Sequence, residues 1–348
     1  MSGVAGAGSQ RDAGAITDPT DATPVMTPET AGRAPARPAV SGRAGGGLVA
    51  SEWRKRLEIA VLVAPALALF LLFVIWPVVQ AGRFSLFQWN GLEPMTNFVG
   101  LDNYKEVLGD SGFRAALTHN LIVVVLSLAI QLPLGLGIAL LLNRNMRGRT
   151  ALRLIIFVPY VIAEVIVGVV WLLLLQPRGP LDAIFEALHL MDVRQLWLAD
   201  PKIALYTMFG VLTWKYIGFA IILFLAGLQG VPVELVEAAA LDGASWWQIQ
   251  RRITIPLLGP TLRIWAFLSM IGSLQLFDMV WVMTHGGPGT ATETMVTYMI
   301  ETGFDRGRLG YGTAVAIVLF VISLVMALIF MRFILRRDTI EAASGRKR

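Results

Sequence analysis

Apolar residues run along this chain in six blocks, separated by polar stretches of unequal length. Within each block nearly every position is apolar, so there is no polar stripe of the kind a helix in water shows on its outer face. Crossing about 30 Å of hydrocarbon takes about 20 such residues in helical conformation. The blocks fall at Leu57–Gln80, Thr118–Leu142, Leu154–Leu175, Ile203–Leu228, Ile264–Thr284 and Tyr311–Leu335. The pattern predicts an all-α membrane protein with about six transmembrane helices. Pro65, Pro77, Pro133 and Pro159 sit within or beside these blocks, where proline bends helices.

Composition agrees with a bilayer as solvent: 55% of residues are hydrophobic, 15% are charged, and the mean hydropathy is +0.65. Residues 1–52 differ sharply, being rich in Gly, Ala, Pro, Thr and Ser, and predict a disordered cytoplasmic tail. The tail leads into Trp53-Arg54-Lys55-Arg56 and a block of spanning length, which reads as an uncleaved first span. A transmembrane domain is expected over 53–337 and a short cytoplasmic tail over 338–348.

The net charge of +5 at pH 7 would suit nucleic acid if it formed one patch. It does not. Twenty Lys and Arg residues fall in the amino-terminal tail, Asn143–Arg153, Gln229–Arg263 and the carboxy-terminal end, against eight in the other three connections. Under the positive-inside rule this distribution predicts that both termini are cytoplasmic and leaves no nucleic-acid partner. With no cysteine, and with His119, His189 and His285 scattered, no metal-ligand spacing is present. Neither a Gly-x-Ser-x-Gly elbow nor a Gly-Lys dipeptide occurs, so there is no serine nucleophile motif and no P-loop.

The connection after the fourth block, Val231–Pro256, has its own local logic. Pro232 suits the first turn of a helix running to about Asp242, and Gly243 suits the left-handed residue that ends it. Ser245 followed by Gln248 reads as a capping box for a second helix that stops by Pro256. Small Ala238 and Ala239 beside Glu237 make a surface that a partner can approach closely.

In this segment Glu237-Ala238-Ala239, then Gly243, Ile253 and Pro256, stand at the spacing of the EAA motif, and the chain resembles the permeases of binding-protein-dependent ATP-binding-cassette (ABC) importers. Ile255 replaces a customary leucine and keeps the apolar contact. Phe98–Tyr104, Ala226–Gln229 and Phe277–Pro288 further resemble the carbohydrate-uptake subfamily, the maltose-type first permease. The resemblance implies a type I importer in the cell membrane. Its partners would be a second permease subunit, two ABC ATPase subunits and an extracytoplasmic solute-binding protein, and its substrate a sugar. It also implies that the partner ATPases use ATP and Mg while this chain binds no cofactor and is not an enzyme, and that Glu237, Ala238, Ala239, Asp242, Gly243, Ile253 and Pro256 carry the coupling. A permease for glycerol-phosphate or another small solute, or an ion-coupled secondary transporter, is the alternative.

Sugar sites combine aromatic faces with amides and carboxylates. Aligned on Gly227–Gln229, the stretch from Tyr216 to Phe219 falls where the maltose-type relative contacts its ligand, and alignment on Gly286–Pro288 brings Gln275 near another contact. Gln275, Asp278 and Trp281 recur every third residue, as one face of a fifth helix would present them. Independently of the family, Glu164 and Lys215 lie near the midplane by residue count, where isolated charges are costly. They are expected to pair along the path, with Asp278 as a competing partner for Lys215.

Overall fold

The structure, a computed structural model, describes residues 47–144, 147–190, 192 and 194–332. Of the tails expected over 1–52 and 338–348, residues 1–46 and the whole of the second lie outside them. The chain divides into units at residues 1–64 and 65–348, and apart from helix α1, which begins in the first, everything below concerns the second.

Helices dominate, and the sole extended pairing among the described residues is one bridge between Phe87 and Phe98. Helix α1, Gly47–Phe70, begins within the stretch read as tail and passes through a wide turn at Leu71–Ile75 into α2, Trp76–Phe84. Short α3, Asp102–Gly109, precedes α4, Ser111–Leu126, which continues through a second wide turn at Ser127–Gln131 into α5, Leu132–Leu142. Then come α6, Arg149–Val161, α7, Glu164–Leu175, α8, Pro180–Ala187, and the unbroken α9, Ala204–Leu228. The polar connection after it holds α10, Val233–Leu241, α11, Trp246–Ile249, and α12, Ile255–Leu257. Helices α13, Gly259–Leu274, α14, Asp278–Met283, α15, Met295–Ile300, and α16, Leu309–Phe330, complete the bundle.

Four helical stretches are long and apolar enough to cross a membrane, and six if each of two bent pairs is one span. Three wide turns have a common cause. Leu71–Ile75, Ser127–Gln131 and Gln250–Thr254 are π-helical, and each ends two residues before a proline: Pro77, Pro133 and Pro256. A proline ring clashes with the carbonyl four residues earlier and offers no N–H to it, and widening the preceding turn relieves both problems. These prolines are absorbed within continuous helices.

The third and fifth blocks do not form the continuous helices expected. In the third, α6 and α7 meet at 97° across Ile162 and Ala163, which are extended. In the fifth, α13 stops at Leu274 and helix resumes only at Asp278, after Phe277 at φ −139°, ψ −66°. Gln275, Asp278 and Trp281 therefore do not share one helical face. The second helix of the polar connection runs past Pro256 to Leu257 and then turns by 66° into α13.

Helix α9 organises the interior, packing against α5, α6 and α13. Gly135, Ala220 and Phe224 interlock α5 with α9, and Gly218 lets α9 meet α6 backbone to backbone. An added Cβ on Gly218 would lie 2.4 Å from the Ile156 carbonyl oxygen. Small residues at such crossings are how helices gain dispersion contact where lipid gives no hydrophobic drive.

Candidate functional site: an intramembrane cavity and a coupling loop

A cavity of about 190 Å³ opens among α4, α6, α9 and α13. Four aromatic residues wall it: Tyr160 at the end of α6, Tyr216 and Phe219 one turn apart on α9, and Trp265 on α13. Tyr160 and Phe219 stack at 5.1 Å and 21°, and the Tyr160 and Tyr216 rings meet edge-on at 6.1 Å. Polar groups reach the same space in two pairs spaced by four residues, Ser127 with Gln131 and Ser269 with Ser273. The Gln131 amide donates to the Thr213 hydroxyl at 3.0 Å, which fixes its orientation. Among the described residues, no charged side chain lines this cavity. Flat apolar faces beside neutral donors and acceptors bind the C–H faces and hydroxyls of polyols.

A more open cleft of about 500 Å³ shares Tyr160 and Tyr216 with the cavity and adds Ile162, Ala163, Glu164 and Lys215. Glu164 and Lys215 do not form an ion pair with each other, nor does Lys215 with Asp278, among the described residues. Instead the Lys215 ammonium, with its residue only 3% exposed, donates to the carbonyls of Ile162 at 2.6 Å and Tyr160 at 3.4 Å. The Glu164 carboxylate accepts from the Tyr216 hydroxyl. Each charge is met by the backbone or a phenol at the broken span, a geometry that spacing along the chain does not reveal.

Of the five residues proposed from sequence for substrate contact, the structure brings only Tyr216 and Phe219 to the cavity. Gln275 and Asp278 are exposed at the interruption after α13, and Trp281 lies against Phe277 and His285. The missed residues are Tyr160, Ser127, Gln131, Trp265, Ser269 and Ser273. Polar residues four apart in otherwise apolar spans were the available signal for two pairs of these.

The polar connection folds as its local sequence dictates, with Pro232 immediately before α10 rather than inside its first turn. Its end is a Schellman motif: Gly243, at φ +81°, donates to the Ala240 carbonyl, and Ala244 to that of Ala239 at 2.9 Å. The Ser245 amide then donates to the Gln248 side chain at 2.7 Å, and the Gln248 amide to the Ser245 hydroxyl at 3.4 Å, completing the capping box. The result is a rigid elbow. Asp242, Gly243 and Ile253 border a groove of about 280 Å³ in its crook. Glu237 and Ala238 are exposed, Ala239 is half-buried, and Pro256 is exposed in α12. Leu241 is 89% and Trp247 61% exposed.

Residues 131–339, which contain the elbow and all of the cavity's lining except Val123 and Ser127, match the family described as binding-protein-dependent transport system inner membrane component. The chain belongs to this family of ABC importer permeases. The permease is 37% identical over 275 residues to a "probable ABC transporter permease protein" of Pyrococcus horikoshii, covering 78% of this chain and 94% of that one. It is 33% identical over 273 residues to the trehalose/maltose transport system permease protein MalF of Thermococcus litoralis, covering 78% and 92%. With the diacetylchitobiose uptake system permease protein NgcF of Streptomyces coelicolor it shares 32% over 320 residues, 88% and 90% of the two chains. Among solved structures, a bacterial ABC transporter involved in import of the acidic polysaccharide alginate has the same fold, with a TM-score of 0.73 at 24% identity over 83% of this chain and 98% of that one. The permease is thus a multi-pass inner-membrane component and not the ATPase of its system.

Proposed function

We propose that this permease forms half of the translocation pathway of an ATP-driven importer for a sugar or oligosaccharide, with the substrate passing through the cavity walled by Tyr160, Tyr216, Phe219 and Trp265. The observation that carries the reading is that lining: aromatic faces with hydroxyls and an amide, and no charge. A permease for glycerol-phosphate would have to meet an anion along its path, and a wall without Lys or Arg disfavours that substrate. The names of the trehalose/maltose and diacetylchitobiose relatives point the same way.

On this reading the chain pairs with a second permease subunit. Two ATPase subunits dock on the elbow, where Glu237, Ala238 and Ala239 form the contact and Asp242, Gly243, Ile253 and Pro256 hold its shape. Both termini and the elbow face the cytoplasm, in keeping with the distribution of Lys and Arg. A solute-binding protein delivers sugar to the opposite face; the alginate transporter has been solved in complex with a pentasaccharide-bound periplasmic protein. Gln275, Asp278 and Trp281, away from the cavity, are placed to meet substrate only before or after it.

The test is ATP-dependent uptake into proteoliposomes holding the complete complex, with a labelled panel of trehalose, maltose, diacetylchitobiose and glycerol 3-phosphate. Uptake of a saccharide that Phe219→Ala or Gln131→Leu impairs supports the proposal, and uptake of glycerol 3-phosphate alone overturns the sugar assignment.

A further inference from the structure

The break in the third span is held from both sides by consecutive residues of α9. A helix end leaves its last carbonyls without intrahelical partners, and in a membrane interior no bulk water replaces them. Helix α6 ends at Val161, and Ile162 and Ala163 are extended, so the Tyr160 and Ile162 carbonyls lack the N–H four residues on that a continuous helix would supply. Lys215 supplies the missing donor to both. Its positive charge also sits at the negative end of the α6 dipole. The next residue, Tyr216, donates its hydroxyl to Glu164, the first residue of α7. One step along α9 thus reaches the end of one half-helix and the start of the next. The contact is close because Gly218, three residues on from Lys215, admits the α6 backbone.

Tyr160 links this arrangement to the cavity. Its carbonyl is bonded by Lys215 while its ring is stacked on Phe219, and that ring is wall to both the cavity and the open cleft. We propose that Lys215 is a positioning residue for substrate: by capping the broken span it fixes where the Tyr160 ring stands in the cavity wall. The proposal rests on the reading that the cavity receives substrate. It assigns Lys215 no contact with the sugar, and it explains a buried lysine that has no acidic partner within ion-pair distance.

Because this chain has no cysteine, Ala163→Cys gives it a single thiol at the break, whose rate of maleimide labelling is followed on this subunit, separated from its partners after labelling of the assembled complex. Alongside it, KM is measured for the labelled disaccharide that the wild type transports fastest among trehalose, maltose and diacetylchitobiose. Lys215→Met is expected to accelerate labelling at position 163 and raise KM by about tenfold, with sugar-free ATPase unchanged. Lys215→Arg, which keeps the charge and the donors, is expected to restore both readouts, and Lys215→Gln to fall between. Wild-type labelling and KM in the Met variant would overturn the proposal, as would faster labelling with an unaltered KM. If neither Met nor Gln assembles, Lys215 is needed for folding and the positioning claim falls. Phe219→Ala tests the cavity separately: an unchanged KM there, with faster labelling in the Met variant, would remove the cavity from the substrate path while leaving the clamp of the break standing.

Discussion

Replacing Gly218 by Ala adds one methyl group at the α6–α9 crossing, and its effect follows from the geometry. The new Cβ would lie 2.4 Å from the Ile156 carbonyl oxygen, 3.1 Å from Phe157 Cα and 3.2 Å from the Ile156 carbonyl carbon. All three are backbone atoms, so no rotamer change relieves the contact. The helices must separate by roughly 1 Å to restore ordinary van der Waals distance, and overpacking of this kind costs about 1–3 kcal/mol. Separation also stretches the 2.6 Å bond from Lys215 to Ile162, three residues away on the same helix. Alanine is intrinsically the better helix former by about 1 kcal/mol, which offsets part of the cost and sets the control. Gly210, also on α9, has nothing within 4 Å of an added Cβ, so Gly210→Ala keeps the propensity gain without the clash. Thermal unfolding of the detergent-purified subunit should therefore show Gly218→Ala melting below wild type and Gly210→Ala at or above it. Equal midpoints for the two variants would refute the claim that α6 and α9 meet backbone to backbone.

At the elbow, Glu237→Ala should abolish ATP-dependent uptake while the subunit still reaches the membrane; unimpaired uptake would remove Glu237 from the coupling. Gly243→Val puts a β-branched residue at φ +81° where nothing within 4 Å obstructs a Cβ, so about 1–3 kcal/mol of backbone strain acts alone, and uptake should fall with membrane levels unchanged. Ser245→Ala removes the cap of α11 at a cost of about 1 kcal/mol, and hydrogen exchange should show the amides around Gln248 losing protection. Glu293, in the connection between α14 and α15, is 3% exposed, and burial followed by repulsion from Glu301 pushes its carboxyl up to about 7, with Arg306 opposing. The folded state then keeps a proton that the unfolded chain releases near 4.5, so stability should fall as pH rises from about 4.5 through 7. Unfolding midpoints measured at pH 5 and pH 8 should differ in wild type and converge in Glu293→Gln.

What the amino-acid sequence disclosed and what it hid divide by range along the chain. The elbow was legible because its determinants are local: Gly243 ends one helix and Ser245 with Gln248 starts the next, all within six residues. The spans were legible because lipid demands length and apolarity at every position. The break after Val161 was not, since the donor that satisfies its carbonyls, Lys215, lies 53 residues away from Ile162. The same distance misled the reading of Lys215 as half of an ion pair, when a helix end in lipid serves a buried ammonium as well as a carboxylate does. Gln275, Asp278 and Trp281 were placed on one face by assuming an unbroken period of 3.6, and α13 stops one residue short of Gln275. Tyr160 escaped notice because nothing in its neighbourhood marks the ring as facing Phe219.

The central claim is that the uncharged, aromatic-walled cavity carries a sugar through this permease under ATP. The most direct measurement is uptake of labelled trehalose, maltose and diacetylchitobiose by proteoliposomes holding the full complex and its binding protein, with wild type compared against Phe219→Ala and Gln131→Leu. The account predicts ATP-dependent accumulation of at least one saccharide in wild type, and in both variants a loss of uptake with sugar-free ATPase retained. Saccharide uptake at the wild-type rate in both variants would contradict it.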